Sequence, residues 1–268
     1  MRKLTIREAL LPGETVTERL ALARELGFSG VEFAAAALDE RIDAIDEALR
    51  AHDLVASGLH MGETDGWVSA DIGRRQRAND MLREALACAL DLEAEYVTFV
   101  PQYGASDMPD LTPFASPMEL QKELLIWLLR GFSDLADAMD TKLALLPLNS
   151  RETAFLTRLE QANRFCRAVD DHPMITIAAN TCEMALEEAD PLACLESHQR
   201  ALSVIYLADS GDRLPGAGQL PFPQIGAALR GSDYTGWLVV AGRPTGEERE
   251  HRAELASCLA YLRNCGLC

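Results

Sequence analysis

The sequence predicts an α/β fold in which eight βα units close into a (β/α)8 TIM barrel. Short apolar runs rich in β-branched residues alternate with longer segments of helical periodicity along the whole chain, the pattern of parallel strands joined by crossover helices. The length, 268 residues, is that of one barrel of this kind. No linker, low-complexity tract or short-period repeat interrupts the pattern, so residues 1–268 are expected to form a single domain.

Strands are expected where the sequence reads LTI (4–6), GVEF (30–33), LVASGL (54–59), YVTFV (96–100), LALL (143–146), ITIAA (175–179), SVIYL (203–207) and WLVV (237–240). Between and after them, helices are expected over 14–26, 41–51, 71–90, 118–138, 154–169, 191–198, 223–229 and 247–262. In the fourth of these, Leu120, Leu124, Leu128, Phe132 and Leu135 recur at steps of three and four residues and form one apolar stripe for the sheet. The Met and Trp residues of that helix are read as core, not as a cofactor-binding element. The longest irregular stretch, QYGASDMPDLTPFASP (102–117), follows the fourth strand, on the face where a barrel carries its substrate-facing loops, and is placed to act as a lid. The functional face of such a barrel lies at the C-terminal ends of the strands. Glu8, Glu32, His60, Gln102, Asn149, Asn180, Tyr206 with Asp209, and Arg243 are expected to meet there.

Charge and composition narrow the partners. With 42 acidic against 25 basic residues the formal charge is −17, which repels phosphate backbones and anionic membranes and argues against nucleic-acid binding through a basic face. No stretch approaches membrane-spanning length, and MRKLTIREALLPGE has no uninterrupted apolar core of signal-peptide length, so a cytoplasmic location is expected. Seven scattered cysteines fit reduced thiols better than a disulfide framework. Cys265 and Cys268 form a terminal CxxC, but no second pair stands at zinc-site spacing, and the motif is read as an exposed tail.

Four segments, LALLPLN (143–149), ITIAANTCEM (175–184), VIYLADSGDRLPGAG (204–218) and YTGWLVVAGRP (234–244), resemble the C-terminal half of the sugar isomerase/epimerase superfamily, the xylose isomerase-like barrels that include ketose 3-epimerases and inosose dehydratase. The stretch 57–104 looks like that family's third and fourth βα units, and Pro147, Leu148, Asn149, Glu152 and Thr153 fall at family-like spacing. Endonuclease IV shares the broader superfamily, and the acidic charge argues against that branch. The resemblance implies Glu, Asp, His and Glu at four successive strand ends, together holding a divalent metal. The matching positions here are Leu146, Asn180, Tyr206 and Ala241. Leu and Ala carry no donor, Asn offers a neutral oxygen, and Tyr is a poor ligand while protonated, so no metal and no other cofactor is expected.

In the family a His contacts the substrate three residues after the metal Asp, and here that place is Glu183. Arg213 is the counterpart of a substrate-contacting Arg, in a segment one residue longer around Gly211. Ligand-binding candidates are therefore Glu32, His60, Glu183 and Arg213, and catalytic candidates are His60, Glu183 and Asp209. Each has a plain alternative. His60 can be a satisfied structural histidine, Glu32 a carboxylate paired with an Arg, Asp209 a turn cap, and the PGAG turn (215–218) loop-shaping only. Tyr206 can stack on a sugar ring or fill the place a metal would take. The expectation is a divergent sugar isomerase/epimerase-like protein that binds a sugar or polyol without metal-dependent chemistry. Alternatives are a metal-independent isomerase, epimerase or dehydratase with a rebuilt acid/base site, and a structural or regulatory subunit of a sugar-catabolic assembly. Homo-oligomerisation stays open.

Overall fold

The computed structural model describes residues 3–268; Met1 and Arg2 of the expected unit lie outside the described residues. Eight strands, β1 (Leu4–Arg7), β2 (Gly30–Ala34), β3 (Val55–His60), β4 (Tyr96–Phe99), β5 (Lys142–Leu145), β6 (Ile175–Asn180), β7 (Leu202–Leu207) and β8 (Trp237–Val240), pair in sequence order, and β8 closes on β1. Every pairing is parallel. All eight expected strands are found, each to within one residue at either end.

Helices α1 (Val16–Leu26), α2 (Ile42–His52), α3 (Ile72–Asp91), α4 (Pro117–Ala138), α5 (Leu159–Ala168), α6 (Thr181–Glu187), α7 (Pro191–His198), α8 (Phe222–Arg230) and α9 (Glu248–Asn264) surround the sheet. Local capping sets several starts: Thr15 with Glu18 and Ser116 with Glu119 form reciprocal capping boxes, and Asp71 and Asp190 accept from first-turn N–H groups. Helix α5 begins at Leu159, not at 154 as the periodicity suggested. The Gln161 side chain accepts from the Thr157 and Arg158 N–H groups, and Phe155 and Leu156 turn into the core before the helix starts. Helix α6 was not expected, and neither were the 3-10 turns Glu8–Leu10 and Asp39–Arg41.

Period-two alternation along the strands divides the apolar residues between two layers. Leu4, Ile6, Val31, Phe33, Leu143, Leu145, Ile205 and Leu207 pack outward in the larger cluster formed with the helices. Tyr96, Val100, Ala144, Leu146, Ala178, Val204, Tyr206, Trp237, Val239 and Ala241 form a second cluster inside the barrel. The terminal CxxC is not an exposed tail. Leu267 is fully buried, Cys265 is 4% exposed, and Arg230 donates to the Cys265 carbonyl at 2.5 Å, so the last turn is docked against α8. All seven cysteines are unpaired. Among the described residues no helix is long and apolar enough to cross a membrane.

The Tyr96 ring occupies the barrel interior because its neighbour on β3 is Gly58, where a Cβ would overlap the ring. Gly58→Ala is therefore expected to destabilise the protein by about 1–3 kcal/mol through overpacking. A lower urea midpoint at unchanged slope, measured by tryptophan fluorescence, checks it.

Candidate functional site at the barrel mouth

The centre of the mouth is built around one carboxylate. Glu32 is fully buried on β2, and donors reach it from three other strands: Tyr96 Oη at 3.0 Å and Tyr206 Oη at 2.7 Å to Oε1 from β4 and β7, and Arg7 Nε at 2.9 Å to Oε2 from the neighbouring β1. A buried ionised carboxylate demands this, since an unpaired one forfeits its hydration with no return. The Tyr206 proton goes to Glu32, so the Thr98 hydroxyl, 2.6 Å away, donates to the Tyr206 oxygen. Burial, and then the Glu32 charge, hold both tyrosines well above their ordinary pKa, which keeps them protonated donors.

Arg7 ends β1 on the mouth side. Its guanidinium carbon stands 4.5 Å over the Tyr206 ring, and 26% of its side chain is exposed. Burial opposes its charge most strongly, but Glu32 and Tyr206 together outweigh it and raise the guanidinium pKa. No other carboxylate pairs with it among the described residues. Of its five N–H donors, one goes to Glu32 and the guanidinium also reaches the Tyr206 hydroxyl; for most of the fork no acceptor stands among the described residues. His60 closes this group from the end of β3. Its half-buried ring has no hydrogen-bond partner among the described residues, and it feels the charges of both Glu32 and Arg7. Burial lowers its pKa from 6.5; Glu32 pulls the other way, and Arg7 reinforces burial.

The remaining expected residues are engaged elsewhere. Asp209, 1% exposed, is the clasp of the PGAG turn: Oδ1 accepts from the Ser210 and Leu220 N–H groups, and Oδ2 from those of Gly216 and Gly218. This is the turn-capping alternative, and it explains Gly218, where a Cβ would meet Asp209 itself. Glu183 Oε2 accepts from both the backbone N–H (2.6 Å) and the side-chain amide (2.7 Å) of Asn149, tying α6 to the loop after β5. Arg213 is exposed and donates weakly to the Ala217 carbonyl at 3.4 Å; Gly211 and Asp212, beside it, both take left-handed backbone angles. No hydrogen bond or ion pair among the described residues links Glu183, Asp209 or Arg213 to Glu32 or His60.

Three expected mouth residues lie off the centre. Glu8 turns outward, where Arg19 (3.0 Å) and Arg41 (2.5 Å) hold it. Gln102 accepts from Gln121 on α4 at 2.6 Å, and Arg243 pairs with Asp212 at the surface. The 102–117 loop is irregular as expected. Its base is anchored through Gly104 to Glu152 and Ala154 and through Asp107 to Ser69, Ala70 and Arg74, while Phe114 at its tip is 92% exposed.

Leu146, Tyr206 and Ala241 share the inner cluster. Asn180 is half-buried and uses its side-chain oxygen to accept from Cys182 N at 2.9 Å and Glu183 N at 3.5 Å, capping α6. With two positions lacking donors, one oxygen in a helix cap and one in a buried hydrogen-bond network, this set does not fit a hard dication. Among the described residues no group of three His, Cys, Asp or Glu side chains is placed to hold a metal.

A family model described as xylose isomerase-like TIM barrel matches residues 20–265. The chain belongs to the xylose isomerase-like TIM barrel family. It is 25% identical over 265 residues to the 3-dehydro-D-guloside 4-epimerase of Escherichia coli (strain K12), covering 97% of this chain and 98% of that one. To the D-psicose 3-epimerase of Agrobacterium fabrum it is 23% identical over 223 residues, covering 81% and 75% of the two chains. The crystal structure of the E. coli 3-keto-D-glucoside 4-epimerase in its apo form superposes with a TM-score of 0.88 at 23% identity, over 99% of this chain and 100% of that one. A D-psicose 3-epimerase with D-tagatose from Clostridium cellulolyticum H10 superposes at 0.84 and 18% identity, with 99% and 100% covered. These likenesses are of fold.

Arg7 escaped the sequence reading, although strand parity pointed to it: Leu4 and Ile6 face the helices, so Thr5 and Arg7 face the barrel interior.

Two outcomes follow from this geometry. Asp209→Ala removes a charged acceptor from four backbone donors and is expected to cost about 3 kcal/mol or more, read as a lower denaturation midpoint. Because the folded His60 has the lower pKa, the unfolded chain takes up the proton first as pH falls. Its contribution to stability is present above about pH 6.5 and is lost below it. Urea midpoints between about pH 7.5 and 5.5 should fall less steeply in His60→Gln than in the wild type.

Proposed function

We propose that this family member binds a sugar or polyol at the barrel mouth without a divalent metal. The observation that carries this reading is the occupancy of the four strand-end positions by Leu146, Asn180, Tyr206 and Ala241, with the fully buried Tyr206 hydroxyl bonded to Glu32 at 2.7 Å where the resemblance calls for a metal-binding His. Arg7 and His60 supply polar contacts at the centre, Glu183 and Arg213 contacts on the rim, and Tyr103 and Leu148, packed against the inner cluster, an apolar face. The reading takes residues 1–268 as one working unit. Free thiols throughout support a reducing, cytoplasmic setting.

A second reading, turnover by rebuilt chemistry, is favoured by one observation. An unpartnered imidazole, held neutral by burial, stands within electrostatic reach of a guanidinium, so a base and an oxygen-polarising cation share one mouth. Assaying neutral ketoses for product formation, in wild type and in His60→Gln, separates binding from turnover.

Purified protein dialysed without chelator is expected to contain well under one divalent metal per chain, and added Mn²⁺ to leave its melting temperature unchanged. Elemental analysis and melting curves provide the measurement. A stoichiometric metal, or a large Mn²⁺-induced rise in melting temperature, would overturn the metal-free reading.

A further inference from the structure

Resting on the sugar-binding reading, we propose that the Arg7 guanidinium is the oxygen-binding cation of the mouth, and that the ligand it takes is a neutral keto-sugar or polyol, not a sugar phosphate or a sugar acid. Arg7 is oriented for the first part. Glu32 fixes its Nε, its guanidinium carbon stands 4.5 Å from the centre of the Tyr206 ring, 26% of the side chain is exposed, and most of its N–H fork has no acceptor among the described residues. A fork held on one edge and stacked on one face presents its remaining donors in a fixed geometry, suited to a carbonyl and a neighbouring hydroxyl oxygen.

The charge and backbone of the mouth carry the second part. Barrels of this class bind phosphate through the loops after the seventh and eighth strands and through helix N-termini. Here both devices are filled by the protein's own side chains. The N–H groups of Ser210, Gly216, Gly218 and Leu220, after β7, all point at Asp209, and those of Cys182 and Glu183, opening α6, point at Asn180. The Arg7 charge is already matched by Glu32, Arg243 is paired with Asp212, and Arg74 with Asp65 and Asp107; Arg213, the other cation of the rim, is exposed to solvent, where its charge is screened. Beside Arg7, the Tyr103 hydroxyl also feels Glu63, Glu152 and Asp65, three carboxylates against one guanidinium. An anionic ligand would lose its hydration for one balanced cation and one solvent-screened cation, Arg213, in an acidic rim, on a chain of formal charge −17. A neutral ligand meets neither cost, and its C–H face finds Leu146, Ala241, Leu148 and the Tyr103 ring.

Calorimetric titration of D-tagatose, D-fructose and myo-inositol against D-fructose 6-phosphate and D-gluconate, with wild type, Arg7→Lys and Arg7→Met, tests this. We expect a neutral member to bind wild type at least about tenfold tighter than either anion, Arg7→Met to weaken it about tenfold or more, and Arg7→Lys to restore little, since a point charge cannot reproduce the fork. Should Arg7→Met fail to fold, phenylglyoxal modification of wild type, mapped by mass spectrometry, reports the same contact as protection of Arg7 by the neutral sugar. Equal binding by wild type and Arg7→Met, or an Arg7 that the sugar leaves unprotected, overturns the assignment to Arg7 and leaves the sugar-binding reading standing. Tighter binding of the phosphate or the acid overturns the neutral class. No binding by any of the five overturns the sugar-binding reading itself.

Discussion

The architecture of the mouth depends on a single requirement: a carboxyl group with no exposure, Glu32, must find hydrogen-bond donors that replace its lost hydration. It finds them on the neighbouring β1 and, across the barrel, on β4 and β7, and the last two bonds tie β2 to strands that are not its neighbours in the sheet. Removing one partner of a buried pair leaves an uncompensated charge, a loss on the order of 3–5 kcal/mol where both partners are fully buried. Arg7 keeps about a quarter of its side chain in solvent, so the loss there is smaller. The same requirement explains which residues surround Tyr206. A phenol that reaches Glu32 needs more room than the imidazole implied by the resemblance, and small Ala241 with apolar Leu146 provide it within one cluster.

A second pattern concerns the polar residues of the rim. Asp209, Asn180 and Glu183 each satisfy backbone N–H groups of neighbouring loops or helix starts. Side chains that look available in the sequence are in this way committed to loop shape, and they rigidify the face that a ligand would meet. At the centre of the mouth, what lacks a partner among the described residues is most of the Arg7 fork and the His60 ring.

The strands were legible because their signal is local; β-branched apolar runs and a period of two survive any choice of chemistry at the mouth. Boundaries that tertiary contacts set were not. Helix α5 starts late because Gln161 caps a loop that Phe155 anchors, and α6 exists because Asn180, read as a lost ligand, is also a helix cap. Asp209 shows the limit for sites: an acidic residue at a strand end reads alike whether it meets a substrate or four backbone donors. Arg7 shows the converse. Counting parity from Leu4 and Ile6 would have found it, but its role depends on Glu32, 25 residues away in sequence, and on Tyr206, which lies 174 residues beyond Glu32.

The choice between binding and turnover turns on how much charge stabilisation the mouth can offer. Proton abstraction beside a carbonyl develops negative charge on oxygen, and electrostatic stabilisation of that charge is usually the largest catalytic contribution. A dication in a dry site presents an excess of positive charge to it. The Arg7 fork is a monocation already neutralised by Glu32, so what it offers a developing oxyanion is directed hydrogen bonding and a local dipole. That is enough to fix a carbonyl in place. For chemistry, His60 has to supply the base unaided, and with one unpartnered base at the centre a proton can be removed and returned only on the face that His60 meets. Epimerisation requires the proton to come back on the opposite face. Within the proposed reading, ligand binding therefore comes first and a same-face proton shift second.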